Sequence, residues 1–361
     1  MADLQEYKCP CCGGAIEFNS NLQKMKCPYC DTEFEMEVLS QYDDEIQNDK
    51  TTDMSWHMES EQFSGEDAEG LGVYVCQSCG GEIVADENTA ASVCPFCDNP
   101  VVIKGQIKGG LKPQYIIPFK LDKKAAKEKF AEHLKGKKLL PKVFQSQNHI
   151  DEIKGIYVPY WLFDTKANAH MRYKGTRTRF WSDSKYNYTE TNHFVIIREG
   201  DISFAHVPVD GSSKMEDELM ESLEPYNFTE AVPFQSGFFA GYYADKYDLD
   251  DQAVAQRANE RVKRTTEDSF RNTVTGFDSV VHDGGSITLS GGKASYAMYP
   301  VWILNTTWNG ETYRFAMNGQ TGKFVGDLPV DKSAMKKYFI KTLAIVTAIV
   351  YALLSVIWLL G

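Results

Sequence analysis

Several familiar signatures are missing from this 361-residue sequence. The opening MADLQEYKC has neither an apolar run nor a basic start. It therefore lacks the mark of a secretory leader, and with it the usual setting for structural disulfides. No phosphate loop of the form GxxxxGK[ST] occurs. At Gly292-Lys293 the first glycine position holds Ile287 and Ala294 follows the lysine; at Gly322-Lys323 those places hold Met317 and Phe324. Without that loop nothing cradles nucleotide phosphates in the manner of a P-loop helicase. GxSxG, HExxH and a supported pair of acids are absent too. Histidine is sparse, and a lone histidine on a strand, such as His170 or His193, reads as a surface or satisfied core residue. No catalytic residue and no small-molecule substrate emerge, and the expectation is a protein that is not an enzyme.

Basic residues are scarce where a nucleic-acid reader would need them. Residues 1–103 hold 21 acids and 4 bases, while residues 104–142 hold 12 lysines, no arginine and 3 acids. The remainder is close to balanced, and the whole chain carries −12. An acidic N-terminal part repels a phosphate backbone, which must be met by Lys and Arg. Base reading also recruits Arg for bidentate contacts, whereas point-charge Lys suffices for an anionic lipid surface. The lysine stretch 104–142 is thus a solvated face or a surface apposed to anionic lipid; nucleic-acid binding through it is the alternative.

What the chain does have is cysteine in a repeated pattern. Cys9-x2-Cys12 is followed after fourteen residues by Cys27-x2-Cys30, and Cys76-x2-Cys79 at the same spacing by Cys94-x2-Cys97. The two blocks, YKCPCCGGAIEFNSNLQKMKCPYCDTEF and YVCQSCGGEIVADENTAASVCPFCDNPV, align without a gap. Each CxxC places two thiolates on one tight turn, so each block can surround one tetrahedral Zn²⁺ with four sulfurs. Two structural zinc sites follow: Cys9, Cys12, Cys27 and Cys30 for the first, and Cys76, Cys79, Cys94 and Cys97 for the second. Four sulfurs leave no open coordination position, which suits structure and not hydrolysis. The alternative is a pair of disulfide-stapled modules. Cys11 aligns with Ser78 and reads as a spare thiol. Gly13-Gly14 and Gly80-Gly81 mark where the chain turns back with positive φ.

Composition divides the chain further. Residues 1–36 form the first zinc ribbon and 73–104 the second. Between them, 37–72 is acidic, polar and poor in aliphatics, so a flexible linker is expected, with Met54, Trp56 and Met58 as its apolar cluster. Residues 105–331 carry a weak internal repeat. A strand ending in Pro-Phe leads to an amphipathic helix starting near Asp122, and a second strand and helix start near Asp250. Each helix precedes an aromatic strand with a proline two residues before a tryptophan, Pro159 and Trp161, then Pro300 and Trp302. Trp308-Asn309-Gly310-Glu311 signals a hairpin. Two related β-α-β-β units predict an α+β fold, an antiparallel sheet with helices on one side, bent where proline interrupts its strands.

The last twenty residues, Thr342 to Gly361, hold no charge. At 1.5 Å per residue such a run crosses the ~30 Å hydrocarbon core. A transmembrane helix is expected over 338–361, with a buried core helix as the alternative. Lys332, Lys336, Lys337 and Lys341 precede it and no base follows. The positive-inside rule then predicts a single-pass protein of the cell membrane with its large N-terminal part in the cytoplasm. The helix is either a tail anchor or is followed by an outer segment.

Taken together, the two CxxC ribbons, LKGKKLLPKVFQSQNHIDEIKGIYVPYWLFD from Leu134, MNGQTGKFVGDLPVDK from Met317 and the apolar C-terminus resemble the bacterial YdjG-type double-zinc-ribbon membrane proteins. The resemblance covers essentially the whole chain, with Cys11 as a departure. It implies a membrane-bound scaffold in envelope stress or maintenance. It also implies partners among the membrane proteins that accompany such chains, flotillin-like and phage-shock-A-like. Relatives of this type often carry labels such as primosomal helicase or transcription-factor-IIB-type zinc-ribbon protein, and the missing phosphate loop argues against the first.

Overall fold

Aromatic and β-branched residues fill the two longest strands, and these organise everything else. The computed structural model describes residues 7–47, 49, 51–58, 61–64, 68–86, 93–107, 110–145, 150 and 152–360. Gly361 of the apolar terminus, 108–109 of the lysine stretch, 146–149 and 151 of the motif from Leu134, and 48, 50, 59–60 and 65–67 of the acidic segment lie outside the described residues. The chain begins with β1 (Glu17–Asn19), β2 (Lys24–Lys26), β3 (Glu33–Phe34), α1 (Met36–Gln47) and β4 (His57–Met58). Next come β5 (Leu71–Cys76), β6 (Glu82–Asp86), β7 (Val101–Gln106), β8 (Tyr115–Ile116) and α2 (Lys123–Leu134). They lead to β9 (Lys154–Ser182), β10 (Asn187–Asp210), α3 (Asp217–Ser222), β11 (Val232–Pro233), β12 (Tyr243–Asp245) and α4 (Asp251–Asn272). The chain closes with β13 (Ser279–Trp308), β14 (Glu311–Asn318), β15 (Phe324–Gly326) and α5 (Lys332–Leu360). The fold is α+β with one large sheet, as the composition implies.

The chain divides into two units. The first comprises 1–57, 163–207 and 255–294. It holds the small antiparallel sheet β1-β2-β3, in which Phe18 faces Met25 and Met25 faces Phe34. Its core packs Met171, Tyr173 and Ile287 of the long strands against Val262 and Phe270 of α4.

The acidic segment in this unit differs from the expected flexible linker. Part of it is α1, and its Tyr42 hydroxyl donates to Asp283 Oδ2 at 2.7 Å. Arg172, nearly buried, donates to Asp49 Oδ2 at 2.9 Å and to Asp283 through Nε at 3.2 Å. Thr52 N–H donates to Ile287 O at 3.1 Å. Trp56 is 3% exposed and meets Phe163 edge-on, ring centroids 4.7 Å apart. A Cβ on Gly292 would stand 2.9 Å from the Trp56 ring, so the missing side chain makes the seat. The segment has too little apolar surface of its own to order itself, but it borrows the surface of strands far away in sequence.

The second unit comprises 58–162, 208–254 and 295–361. Its sheet runs β11-β8-β13-β9-β12-β6-β5-β7. Strands from the two halves of the expected repeat pair with one another. Tyr115 and Ile116 of β8 lie parallel to Ala297 and Met298 of β13, while Tyr243 and Ala244 of β12 lie parallel to Ile156 and Tyr157 of β9. Ala297 and Ile156 each stand three residues before the repeat proline, so the register matches in both halves. Both of these pairings are parallel, a direction that strands of two or three residues do not signal in sequence.

The proline and tryptophan of each repeat now have a reason. Pro159 O accepts from Gly211 N–H at 2.9 Å and Pro300 O from Gly319 N–H at 2.8 Å. Trp161 Nε1 donates to Leu249 O at 2.8 Å, and Trp302 Nε1 to Leu121 O at 3.1 Å. Each of those leucines precedes the N-cap of the other half's helix. Asp122 Oδ1 accepts from Ala125 N–H at 2.7 Å and Asp250 Oδ1 from Ala253 N–H at 2.8 Å, as expected of N-caps. The Asn309-Gly310 hairpin also forms, both residues at positive φ, with Trp308 facing Glu311.

The second ribbon, read from sequence as its own domain over 73–104, is continuous with this sheet. Its β6 pairs with β12 through Ala244↔Val84 and Asp245↔Ile83. Helix α5 ends the chain, and its Lys332–Val356 stretch is long and apolar enough to cross a bilayer and is not covered by protein.

Two outcomes follow. Trp56→Ala should lower the stability of the first unit by about 3–5 kcal/mol in urea titration of the detergent-solubilised chain; a change within about 0.5 kcal/mol would mean that the segment is not docked. Asp245 is buried, its Oδ2 has no hydrogen-bond partner among the described residues, and burial pushes its pKa up to about 8. The folded chain then holds a proton that the unfolded chain releases near 3.8. Its stabilising contribution is full below that value and is lost as pH rises through the folded pKa. Asp245→Asn should therefore gain on the parent in thermal unfolding between about pH 4 and pH 8 and hold that gain above. A pH-independent difference would refute the shift.

Candidate metal centres

Each knuckle is built by the same backbone device. The first cysteine's N–H donates to the carbonyl five residues on, at 2.8 Å (Cys9 to Gly14), 3.0 Å (Cys27 to Thr32), 3.0 Å (Cys76 to Gly81) and 2.8 Å (Cys94 to Asn99). Its own carbonyl accepts from the residue four on, namely Gly13, Asp31, Gly80 and Asp98. All four of those residues have positive φ, between 58° and 75°. The sequence flags the two glycines; the two aspartates in CPYCD and CPFCD occupy the same place and are the signal that spacing alone overlooks. Gly14 and Gly81 serve differently. A Cβ on Gly14 would lie 2.5 Å from the Tyr29 ring, and one on Gly81 3.3 Å from Phe96.

These turns bring the predicted residues together. Cys9, Cys12, Cys27 and Cys30 lie with all their sulfurs within 4.8 Å of one another, and so do those of Cys76, Cys79, Cys94 and Cys97. Cys9 Sγ stands 3.6 Å from Cys30 Sγ and Cys12 Sγ 3.5 Å from Cys27 Sγ; the second set gives 3.5 Å for Cys76–Cys97 and 3.7 Å for Cys79–Cys94. A disulfide would require about 2.05 Å. Four sulfurs about 2.3 Å from a central ion lie about 3.8 Å apart. The donor sets therefore fit a tetrahedral thiophilic ion, and both are positioned to bind a metal. Cys11 is half-buried and stands outside the four; burial raises its thiol pKa.

The electrostatics differ within each set. Burial drives Cys9 up to about 11, and burial also raises Cys94 and Cys79. Cys12 reaches about 12 against a lowering backbone bond from Gly14, pushed up by the neighbouring sulfur of Cys27. Cys30 falls to about 6, first because the Thr32 hydroxyl stands 3.2 Å from its sulfur. Burial would raise Cys97, but the Asn99 amide, 3.4 Å from the sulfur, and the Asn99 backbone bring it to about 7. Thr32 and Asn99 hold equivalent places in the two blocks, and sequence reading passed over both.

The second set has an outer clamp made by Arg314, Asn305 and Lys154, while at the first Lys26 pairs with Asp31 at 3.2 Å. Phe96 is buried, and its carbonyl accepts from Arg314 Nη2 at 2.9 Å and Asn305 Nδ2 at 3.2 Å. Lys154 donates to Cys94 O at 3.3 Å and pairs with Asp98. Cys12 and Cys30 are exposed, whereas Cys79 and Cys97 are only partly so. A chelator should accordingly remove metal in two phases, the faster from the first set. Cys12→Ser should abolish the fast phase and leave the slow one. A single phase, or loss of both ions in that variant, would contradict the assignment.

Comparison with known proteins adds one relative. No family model matches the chain, and no solved structure matches it. A Bacillus subtilis (strain 168) protein, YdjG, described as uncharacterized, is 34% identical over 238 residues, covering 66% of this chain and 70% of YdjG. With the sequence similarity extending over more than two thirds of that protein, the chain belongs to the YdjG family.

Proposed function

We propose that the chain is a zinc-carrying, membrane-anchored adaptor with no catalytic role, its ribbons and acidic segment offering a docking surface to other proteins on the cytoplasmic face. The observation that carries this reading is the closure of both metal positions by four sulfurs each, in a chain that also bears a long uncovered apolar helix. All-thiolate sets of this kind suit Zn²⁺ as a structural ion, and they leave no position for substrate or water. The lysines at the start of α5 orient the large N-terminal part toward the cytoplasm. That compartment keeps thiols reduced and able to bind metal. Flotillin-like and phage-shock-A-like membrane proteins are the partners proposed, in envelope stress or maintenance.

A second reading is favoured by one feature of the β9/β10 hairpin. Near its tip Arg179 lies 5.4 Å over the Trp181 ring, Trp181 stacks on Tyr188 at 10°, and Phe180 is 73% exposed. Stacked aromatics beside arginine suit bases of a single strand. The lysines at 104 and 120, by contrast, are paired with Glu82 and Glu230.

Affinity capture from detergent extracts separates the readings. The full chain should retain a set of membrane proteins that is lost when residues 7–35 are removed. Unchanged partners would remove the docking role from the first ribbon. Capture of single-stranded oligonucleotide that survives about 0.15 M salt would favour the second reading.

A further inference from the structure

The turn after α2 places lysines from the middle of the sequence at the foot of α5. Lys135 ends the helix with its N–H on Glu132 O at 3.1 Å, and Gly136 reverses the chain at φ 80°. Asp331 N–H donates to Leu139 O at 2.8 Å, which ties this turn to the residue just before α5. Lys138 Nζ then lies 5.7 Å over the ring of Tyr338, nearly two turns into the helix. Lys137 Nζ stands 2.6 Å from His133 Nε2. Lys332, Lys336 and Lys337 are exposed on the first turns of α5.

We propose that Lys135, Lys137 and Lys138 join Lys332, Lys336 and Lys337 in one cationic collar that binds the headgroup phosphates of anionic phospholipids where α5 enters the bilayer. This rests on the membrane reading of α5 and extends it to a loop some two hundred residues earlier in sequence.

Three features commit the collar to lipid. None of the six ammonium groups has a carboxylate within 4.0 Å among the described residues, whereas Lys104 and Lys120 of the same lysine-rich stretch are paired. Asp331, at the foot of the helix, is engaged as a cap, its Oδ1 accepting from Ser333 N–H at 2.8 Å and Ala334 N–H at 3.1 Å, and these bonds together with the charge of Lys337 lower its pKa. The collar is continuous with the uncovered apolar run Lys332–Val356, so a phosphate layer at that height is one that a bilayer supplies. Tyr338, held under Lys138, suits the headgroup region, where aromatic rings concentrate. His133 shares this turn; burial, then the charge of Lys137, lowers its pKa, and burial lowers that of Lys137.

The test uses the full chain in neutral detergent, titrated with phosphatidylglycerol, phosphatidylcholine or inorganic phosphate and read by native mass spectrometry. Phosphatidylglycerol should bind in preference to phosphatidylcholine, and millimolar phosphate should not displace it. Each lysine near an anionic surface contributes about fivefold. Lys135→Gln, Lys137→Gln and Lys138→Gln together should weaken phosphatidylglycerol about a hundredfold, with both metal ions retained as the check on folding. Binding unchanged in the triple variant would overturn the collar, and so would displacement by phosphate, which would make this a soluble-anion site. Carbonate washing of native membranes distinguishes the underlying reading. A parent chain released by carbonate refutes the anchor and the collar together. A chain that stays in the pellet but shows no lipid preference refutes the collar alone.

Discussion

Four thiolates cannot share so small a space on their own terms. Each cluster crowds its sulfurs within 4.8 Å, and each turn forces a residue into the left-handed region. Burial and neighbouring sulfurs raise Cys9 to about 11 and Cys12 to about 12, while hydroxyl and amide donors hold Cys30 near 6 and Cys97 near 7. Mutual repulsion forbids four bare thiolates at this distance, and four neutral thiols gain little from it. A cation at the centre would resolve the conflict, because it would stabilise the deprotonated form of all four at once. The backbone hydrogen bonds of the knuckles, their aspartates and their glycines are arranged around that one requirement.

The two clusters depend on their surroundings to different degrees. The first sits on three strands of two or three residues, too few for a core of their own. The second is built into a large sheet and is gripped by Arg314, Asn305 and Lys154. That sheet owes its order to the exchange between repeats. Each tryptophan ties itself to the carbonyl just ahead of the other half's helix, so neither half completes its hydrogen bonds alone.

Local chemistry was legible in the sequence and long-range pairing was not. The cysteine sets, the caps at Asp122 and Asp250 and the Asn309-Gly310 turn were readable because each is fixed by neighbours a few residues away. Asp31 and Asp98 escaped notice because their positive φ is announced only by their alignment with Gly13 and Gly80. The acidic segment was misjudged because its composition says nothing of Gly292, whose missing side chain seats Trp56. The MNGQTG run, distinctive but silent as sequence, is a turn in which Asn318 Oδ1 accepts from Gln320 and Thr321 N–H at 2.9 Å each. The parallel pairings of β8 and β12 leave no trace in two- or three-residue strands.

The central claim is that eight sulfurs hold two metal ions and nothing else completes their coordination. X-ray absorption at the zinc edge of the purified chain tests it most directly. The account predicts four sulfur neighbours per zinc at about 2.3 Å and no nitrogen or oxygen in the first shell. Mixed sulfur and nitrogen ligation, or sulfur–sulfur bonds near 2.05 Å in a chain without zinc, would contradict it.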